Sequence, residues 1–275
     1  MSGTLFVVST PIGNLGDLSP RAREALEQAA VVCCEDTRHT GGLLSKLGLR
    51  AQRLLSVHEH NEASRTDEIL AILAAGQNVV VVSDAGTPLV SDPGGRLVAA
   101  AIEAEVEVCV IPGASAVLAA LVLSGFGADQ FSFEGFLPRK GRDRVIRLDR
   151  AATELRPTVI YEAPSRILAT LDNLVGVCGP TRRVAVCREL TKMHEEVWRG
   201  QLGDACDAIG SPRGEYVIVL EPATERDATV VEVQEAIESR LGTGMSNRDI
   251  AREVADETGW ARRAVYERVI RLTRT

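Results

Sequence analysis

Short apolar runs rich in valine, leucine and isoleucine recur along the first 123 residues, at Leu5–Ser9, Val31–Glu35, Arg53–Val57, Asn78–Ser83 and Val106–Ile111. Their length and β-branched content predict strands. The segments between them carry helical periodicity. One helix begins at Ser19-Pro20, where serine suits the N-cap and proline the first helical position. Another runs from Glu62 to Ala75 and meets Gly76, a natural stop. Regular β-α-β-α alternation predicts a parallel sheet with helices on both faces. Right-handed crossovers then bring every strand's carboxyl end to one edge, where open α/β sheets bind ligands.

From Phe131 the rhythm loosens. Strands are expected at Phe131–Glu134, Thr158–Glu162, Arg183–Arg188, Glu195–Arg199 and Glu215–Leu220, and their uneven spacing implies a mixed sheet. The polar stretch Glu221–Asp227 reads as a linker, and from about residue 229 the pattern is helical throughout. The expected organisation is an N-terminal α/β domain over 1–122, a second α/β domain over 123–224 and a small helical module over 225–275.

Charge adds two features to this frame. The chain is acidic, with a formal net charge of −7, which argues against non-specific binding to nucleic acid by the molecule as a whole. Yet residues 139–150 hold six basic side chains against two acidic ones, and Arg240–Thr275 hold eight arginines against five carboxylates. Ser246 to Ile270 reads as helix, Gly-containing turn, helix, with Ile250, Val254, Trp260, Val265, Tyr266 and Val269 as a small core. That is a helix-turn-helix pattern, whose second helix, from about Ala261, presents Arg262 and Arg263. The plainer readings are a solvated helix face for the first segment and a packing or dimer-stabilising appendage for the second.

The six cysteines form no C-x-x-C pair and mostly sit in apolar runs, so they are expected to be buried thiols in a reducing compartment. The first residues lack a basic segment and a long apolar stretch, and no run approaches the roughly 18 apolar residues that span a bilayer. A cytoplasmic protein without a membrane partner is expected.

Candidate chemistry gathers in three loops on the expected carboxyl edge: Thr10–Gly16, Ser83–Gly95 and Pro112–Ala116. Glycine there lets backbone approach a ligand, and proline aims the amides and carbonyls. No dinucleotide G-x-G-x-x-G or phosphate-binding G-x-x-x-x-G-K-[ST] motif is present, so the residues alone imply a small cofactor held mostly by backbone. His58 and His60 lack the further ligands that zinc requires, and no metal is expected.

Motifs extend this reading. Thr10-Pro-Ile-Gly-Asn-Leu-Gly-Asp-Leu, Glu35-Asp-Thr-Arg-His-Thr and Ser83-Asp-Ala-Gly-Thr-Pro-Leu-Val-Ser-Asp-Pro-Gly resemble the tetrapyrrole-methylase superfamily. With His58-Glu-His-Asn-Glu, Ile111-Pro-Gly-Ala-Ser-Ala, Gly135-Phe-Leu-Pro-Arg-Lys, Tyr161-Glu-Ala-Pro-Ser-Arg and Arg188-Glu-Leu-Thr-Lys-Met-His-Glu-Glu, they are similar to its branch of small-subunit ribosomal RNA methyltransferases. The matches keep their order from about residue 4 to residue 221. The resemblance implies a two-domain homodimer with S-adenosylmethionine in the cleft between domains. It also implies an acceptor: the ribose 2′-oxygen of cytidine 1402 in 16S rRNA, on free RNA or on the assembled small subunit. Carried over by position, the cofactor contacts are Pro11, Ser83, Asp84, Ala85, Val90, Ser115 and Ala116, then Leu137, Tyr161, Glu162, Gly214 and Glu215.

Methyl transfer from a sulfonium is an in-line displacement, so positioning the ribose oxygen is the first requirement. A base, or a cation beside the developing alkoxide, helps a weakly acidic hydroxyl react. The densest ionisable run of the second domain supplies candidates: Lys192 or Glu189 to assist deprotonation and Arg188 to hold a phosphate. The bland alternative is a solvated loop of mutually paired charges. Arg139, Lys140, Arg142, Arg144, Arg262 and Arg263 are the expected RNA contacts. The rival assignments are a tetrapyrrole or diphthine methyltransferase on the same fold and, more distantly, a DNA-binding regulator whose large domains sense a metabolite.

Overall fold

The computed structural model describes residues 2–58, 60–224 and 229–273. Glu59 of the His58–Glu62 run, residues 225–227 of the expected linker and Arg274 of the basic tail lie outside the described residues. The chain divides into two compact units, Met1–Ala116 and Val117–Thr275.

The first unit holds β1 (Leu5–Val8), β2 (Val31–Cys34), β3 (Leu54–Ser56), β4 (Val79–Val81) and β5 (Val108–Ile111). Helices α1 (Pro20–Gln28), α2 (Thr37–Lys46), α3 (Glu62–Ala74) and α4 (Gly95–Glu103) connect them. The strands pair in the order β3-β2-β4-β1-β5, all parallel. Alternate residues of one strand serve opposite faces. Val31, Cys33, Val79 and Val81 pack with Ile69, Leu73 and Leu97, while Val32, Cys34, Val80 and Val82 pack with Leu26 and Leu44. Burial on both faces is why these strands read as unbroken apolar runs rather than alternating ones. The same burial pushes the Cys33 thiol up to about 12, so it behaves as a core residue. Ser19 caps α1, its hydroxyl accepting from the Ala22 amide, with Pro20 in the first turn. The strand expected over Asn78–Ser83 stops at Val81, and Ser83 has left the ladder, giving its carbonyl to the Thr10 hydroxyl.

The second unit comprises α5 (Ala116–Ser124), β6 (Ser132–Phe136), α6 (Arg142–Thr153), β7 (Thr158–Glu162), α7 (Ile167–Cys178), β8 (Arg183–Arg188), β9 (Glu196–Gln201), α8 (Leu202–Ile209) and β10 (Tyr216–Leu220). Its sheet runs β6-β7-β10-β8-β9 and is mixed: β6 and β7 are parallel, and β10, β8 and β9 join antiparallel. Leu148, Ile167, Leu171, Leu174 and Leu202 cover one face over Ile160, Val186 and Ile218. The tail folds into α9 (Val230–Glu238), α10 (Asn247–Thr258) and α11 (Arg262–Thr273). Val233, Ile237, Ile250, Val254, Trp260, Val265 and Val269 form its core, with Tyr266 against it. Arg268 fastens this tail to α7, lying over the Trp260 ring and donating to the Gly176 carbonyl. Among the described residues no helix is long and apolar enough to cross a membrane.

Ile218 sits at the centre of the second sheet with no exposed surface. Ile218→Ala is expected to cost about 2–5 kcal/mol of unfolding free energy, measured by urea denaturation. A cost below about 1 kcal/mol would show that this sheet is not the core of the second unit.

Candidate active site

In the first unit the loops after β1, β4 and β5 are tied into one body. Thr10 and Gly86 exchange both backbone hydrogen bonds, at 2.8 and 3.1 Å. The Ser83 hydroxyl donates to the Ala85 and Gly86 carbonyls, while Ser9, Thr87 and the Ala114 carbonyl form a chain at 3.2 and 3.3 Å. A side chain at Gly113 would come within 2.9 Å of the Ser9 Cβ, so glycine is what lets the third loop close on the first. Leu89 and Ser91 hold positive φ values of 71° and 67° although neither is glycine. Such conformations cost on the order of 1–3 kcal/mol each and persist where surrounding contacts impose them, often at functional sites. On this body Pro11 and Ser83 are buried, Asp84, Val90, Ser115 and Ala116 are half-buried, and Ala85 is exposed.

The charge of this edge is negative. Asp84 has a buried Oδ1 with no hydrogen-bond partner among the described residues. Asp92 is pushed up to about 6 by burial first, then by Glu35 and Asp84, against a hydrogen bond from Ser83. Asp92 lies inside the Ser83–Gly94 motif, but its proximity to Glu35 is a tertiary fact. Asp36 is held low, chiefly by the Arg38 guanidinium, and its Oδ1 caps α2 at the Arg38 and His39 amides, so it shapes the loop. The Glu62 carboxylate accepts from the Arg96 and Leu97 amides at 2.8 and 3.1 Å, capping α4 across 34 residues of chain. The His58–Glu62 motif therefore has a structural use. The His58 and His60 rings stand 6.1 Å apart.

In the second unit the loop between β8 and β9 closes around an ammonium. Lys192 Nζ donates to Glu189 Oε1 and to Glu215 Oε2, both at 2.8 Å. Glu189 Oε1 also accepts from the Glu215 amide at 2.8 Å. Gly214 makes this possible: its φ is +77°, and a Cβ there would lie 2.4 Å from Glu189 Oε1. Burial alone would lower the Lys192 pKa, but its two carboxylate partners raise it; Glu189 is lowered by Lys192 and the Glu215 amide despite its own burial. A lysine held in this way is a cation rather than a proton acceptor. Arg188 donates to the Arg213 carbonyl and pairs with Glu196 at 3.0 Å.

Leu137 is buried just beyond β6, and the Tyr161 ring meets Phe133 edge-to-face and Phe136 at a tilt, with centroids 5.1 and 5.5 Å apart. The Glu162 side chain has no exposed surface, and the residue as a whole is buried. Of the basic residues, Arg139, Lys140, Arg142 and Arg262 are exposed. Arg263 is exposed and pairs with Glu267 at 3.2 Å. Arg144 instead turns inward, bonding Thr170, Asn173 and the Pro138 carbonyl. Its alternation with outward Arg142 follows from the helix turn and was not visible in a run of like charges.

The family model for tetrapyrrole (corrin/porphyrin) methylases matches residues 4–206. The chain is 46% identical over 270 residues to a Synechocystis protein named ribosomal RNA small subunit methyltransferase I, covering 96% of each chain. A protein of the same name from Mycobacterium bovis is 43% identical over 279 residues, covering 99% of this chain and 96% of its own. Among solved structures, diphthine synthase aligns with a TM-score of 0.64 at 17% identity, over 81% of this chain and 91% of its own. The methyltransferase CobJ aligns at 0.62 and 24% identity, over 81% and 95%. These structures share the fold.

Asp92 gives a pH signature. Its carboxyl, ordinarily at 3.8, titrates in the fold at about 6. Well below pH 3.8 it is protonated whether the chain is folded or not; as pH rises from there through about 6 the fold comes to hold an anion beside two others, and stability is lost. Asp92→Asn is therefore expected to match the wild type in Tm near pH 3 and to exceed it at pH 7.5. An equal difference at both pH values would contradict the carboxylate cluster.

Proposed function

We propose, since the chain belongs to the tetrapyrrole (corrin/porphyrin) methylase family, that it methylates small-subunit ribosomal RNA with S-adenosylmethionine as donor. The acceptor is a ribose 2′-hydroxyl, that of cytidine 1402 in the decoding centre, on 16S rRNA or the assembled small subunit. The enzyme acts in the cytoplasm as a homodimer. The observation that carries the reading is identity over nearly the full length with relatives named for this activity.

S-adenosylmethionine, when bound, supplies an electrophilic methyl group on a sulfonium. The acidic edge of the first unit fits a ligand bearing a sulfonium and an ammonium, with the unpartnered Asp84 oxygen as its most direct acceptor. Pro11, Ser83, Ala85, Val90, Ser115 and Ala116 would hold it from that unit. Leu137, Tyr161, Glu162, Gly214 and Glu215 are the candidate contacts of the second unit.

Lys192 stabilises the negative charge developing on the ribose oxygen, a role its raised pKa supports better than proton removal. Glu189 keeps the ammonium in place. Arg188, with further N–H groups beyond its bonds to Arg213 and Glu196, binds a phosphate. Arg139, Lys140, Arg142, Arg262 and Arg263 contact RNA phosphates, giving an acidic protein a local basic surface. Arg144 contributes through packing.

Labelled methyl from S-adenosylmethionine should appear at one ribose 2′-oxygen of small subunits that lack their decoding-site methylations, located by nuclease mapping. Lys192→Ala is expected to lower kcat by about 100-fold, and Asp84→Ala to raise the KM for S-adenosylmethionine by about tenfold. No label in rRNA despite cofactor binding would sink the rRNA reading and turn the search to tetrapyrroles and proteins. Arg139→Ala, Lys140→Ala and Arg142→Ala are each expected to reduce the slope of log affinity against log salt by about 1.

A further inference from the structure

Among the described residues, the most enclosed carboxylate of the second unit lies outside the Lys192 cluster. Glu162 ends β7, and its Oε1 accepts from the Ala163 amide at 2.9 Å and faces Arg166 Nε at 3.2 Å. Its Oε2 accepts from the Thr170 hydroxyl at 2.6 Å. That hydroxyl accepts in turn from Arg144 Nη2 at 2.9 Å, while the Arg144 Nε and Nη2 groups reach Asn173 Oδ1 at 3.2 and 3.0 Å. The outer groups of both guanidiniums then extend past the carboxylate. Arg144 Nη1 donates to the Pro138 carbonyl at 2.9 Å, and Arg166 Nη2 donates to the Leu137 carbonyl at 2.6 Å.

Two arginines, one on α6 and one at the start of α7, thus grip consecutive carbonyls just past the end of β6. A single buried carboxylate orients both, one directly and one through Thr170. A buried ion pair is a poor way to gain stability, because desolvation offsets the attraction. Here the arrangement does something an apolar pair would not: it fixes the course of the backbone after the sheet has ended.

We propose that Glu162 is a positioning residue, which with Thr170, Arg144 and Arg166 sets the backbone at Leu137–Pro138. That in turn sets where Leu137 meets S-adenosylmethionine and where the basic run from Arg139 begins. The inference rests on the reading of Leu137 as a cofactor contact. A loop already ordered need not be ordered on binding, so the network acts on affinity.

Thr170→Val removes the hydroxyl with little change in shape, and Arg166→Lys keeps the charge but loses the second N–H. Each is expected to raise the Kd for S-adenosylmethionine, measured by calorimetry, on the order of tenfold, with kcat at saturating cofactor near the wild-type value. Leu174→Ala, a core variant of the same helix, should lower Tm while leaving that Kd unchanged in the folded protein. Unchanged Kd in Thr170→Val and Arg166→Lys would overturn the proposal. So would an equal rise in Leu174→Ala, which would mark a general loss of stability. Failure of the rRNA reading shows separately, as wild-type protein that binds S-adenosylmethionine and transfers no label to rRNA.

Discussion

In the first unit β1 is hydrogen-bonded on both sides by parallel neighbours, β4 and β5, and β4 is bonded in turn to β2. Parallel pairing requires each strand to be followed by a crossover, and every crossover here leaves from the same edge. The loops after β1, β4 and β5 are therefore brought together by the sheet, whatever their own sequence. Their contents then lock them, through the Thr10–Gly86 bridge and the Ser9–Thr87–Ala114 chain. Fixed loop backbone is what a ligand recognised mainly through amides and carbonyls requires.

Electrostatics distinguishes the roles of the two units. The first gathers Glu35, Asp84 and Asp92, and their mutual repulsion with burial lifts Asp92 toward neutrality. Unfavourable charge of one sign is tolerated where it has a use, and a cationic ligand would relieve it. The second unit does the reverse around Lys192, surrounding one ammonium with two carboxylates and so fixing it in the charged form. A cation held this way has lost its value as a base and gained value as a fixed positive charge. Gly214 is the steric condition for that arrangement, since any side chain there would displace the Glu189 carboxylate.

The buried polar network around Glu162 shows a third use of charge, in shaping backbone. Thr170 passes the orientation of the carboxylate to Arg144, and the two arginines pass it to the carbonyls of Leu137 and Pro138. Directional hydrogen bonds can define a loop that has no partner strand, which apolar contacts do poorly.

Local patterns along the chain were enough for the α/β alternation, the parallel and mixed sheets, the Ser19 cap and the helices of the tail, because each depends on periodicity or on chemistry within a few residues. The motif loops were legible as loops for the same reason: glycine and proline mark the places where the chain leaves a strand. Strand ends were less so, as at Ser83, whose carbonyl found a side-chain partner 73 residues away. The state of individual side chains was decided by the tertiary structure alone. Arg142 and Arg144 are indistinguishable in a basic run, yet one faces solvent and the other is enclosed. Glu162 and Asp92 look like ordinary motif carboxylates, but one is sealed among arginines and the other is set against two like charges. Charge and burial depend on neighbours distant in sequence, and only the folded chain brings those neighbours within a few ångströms.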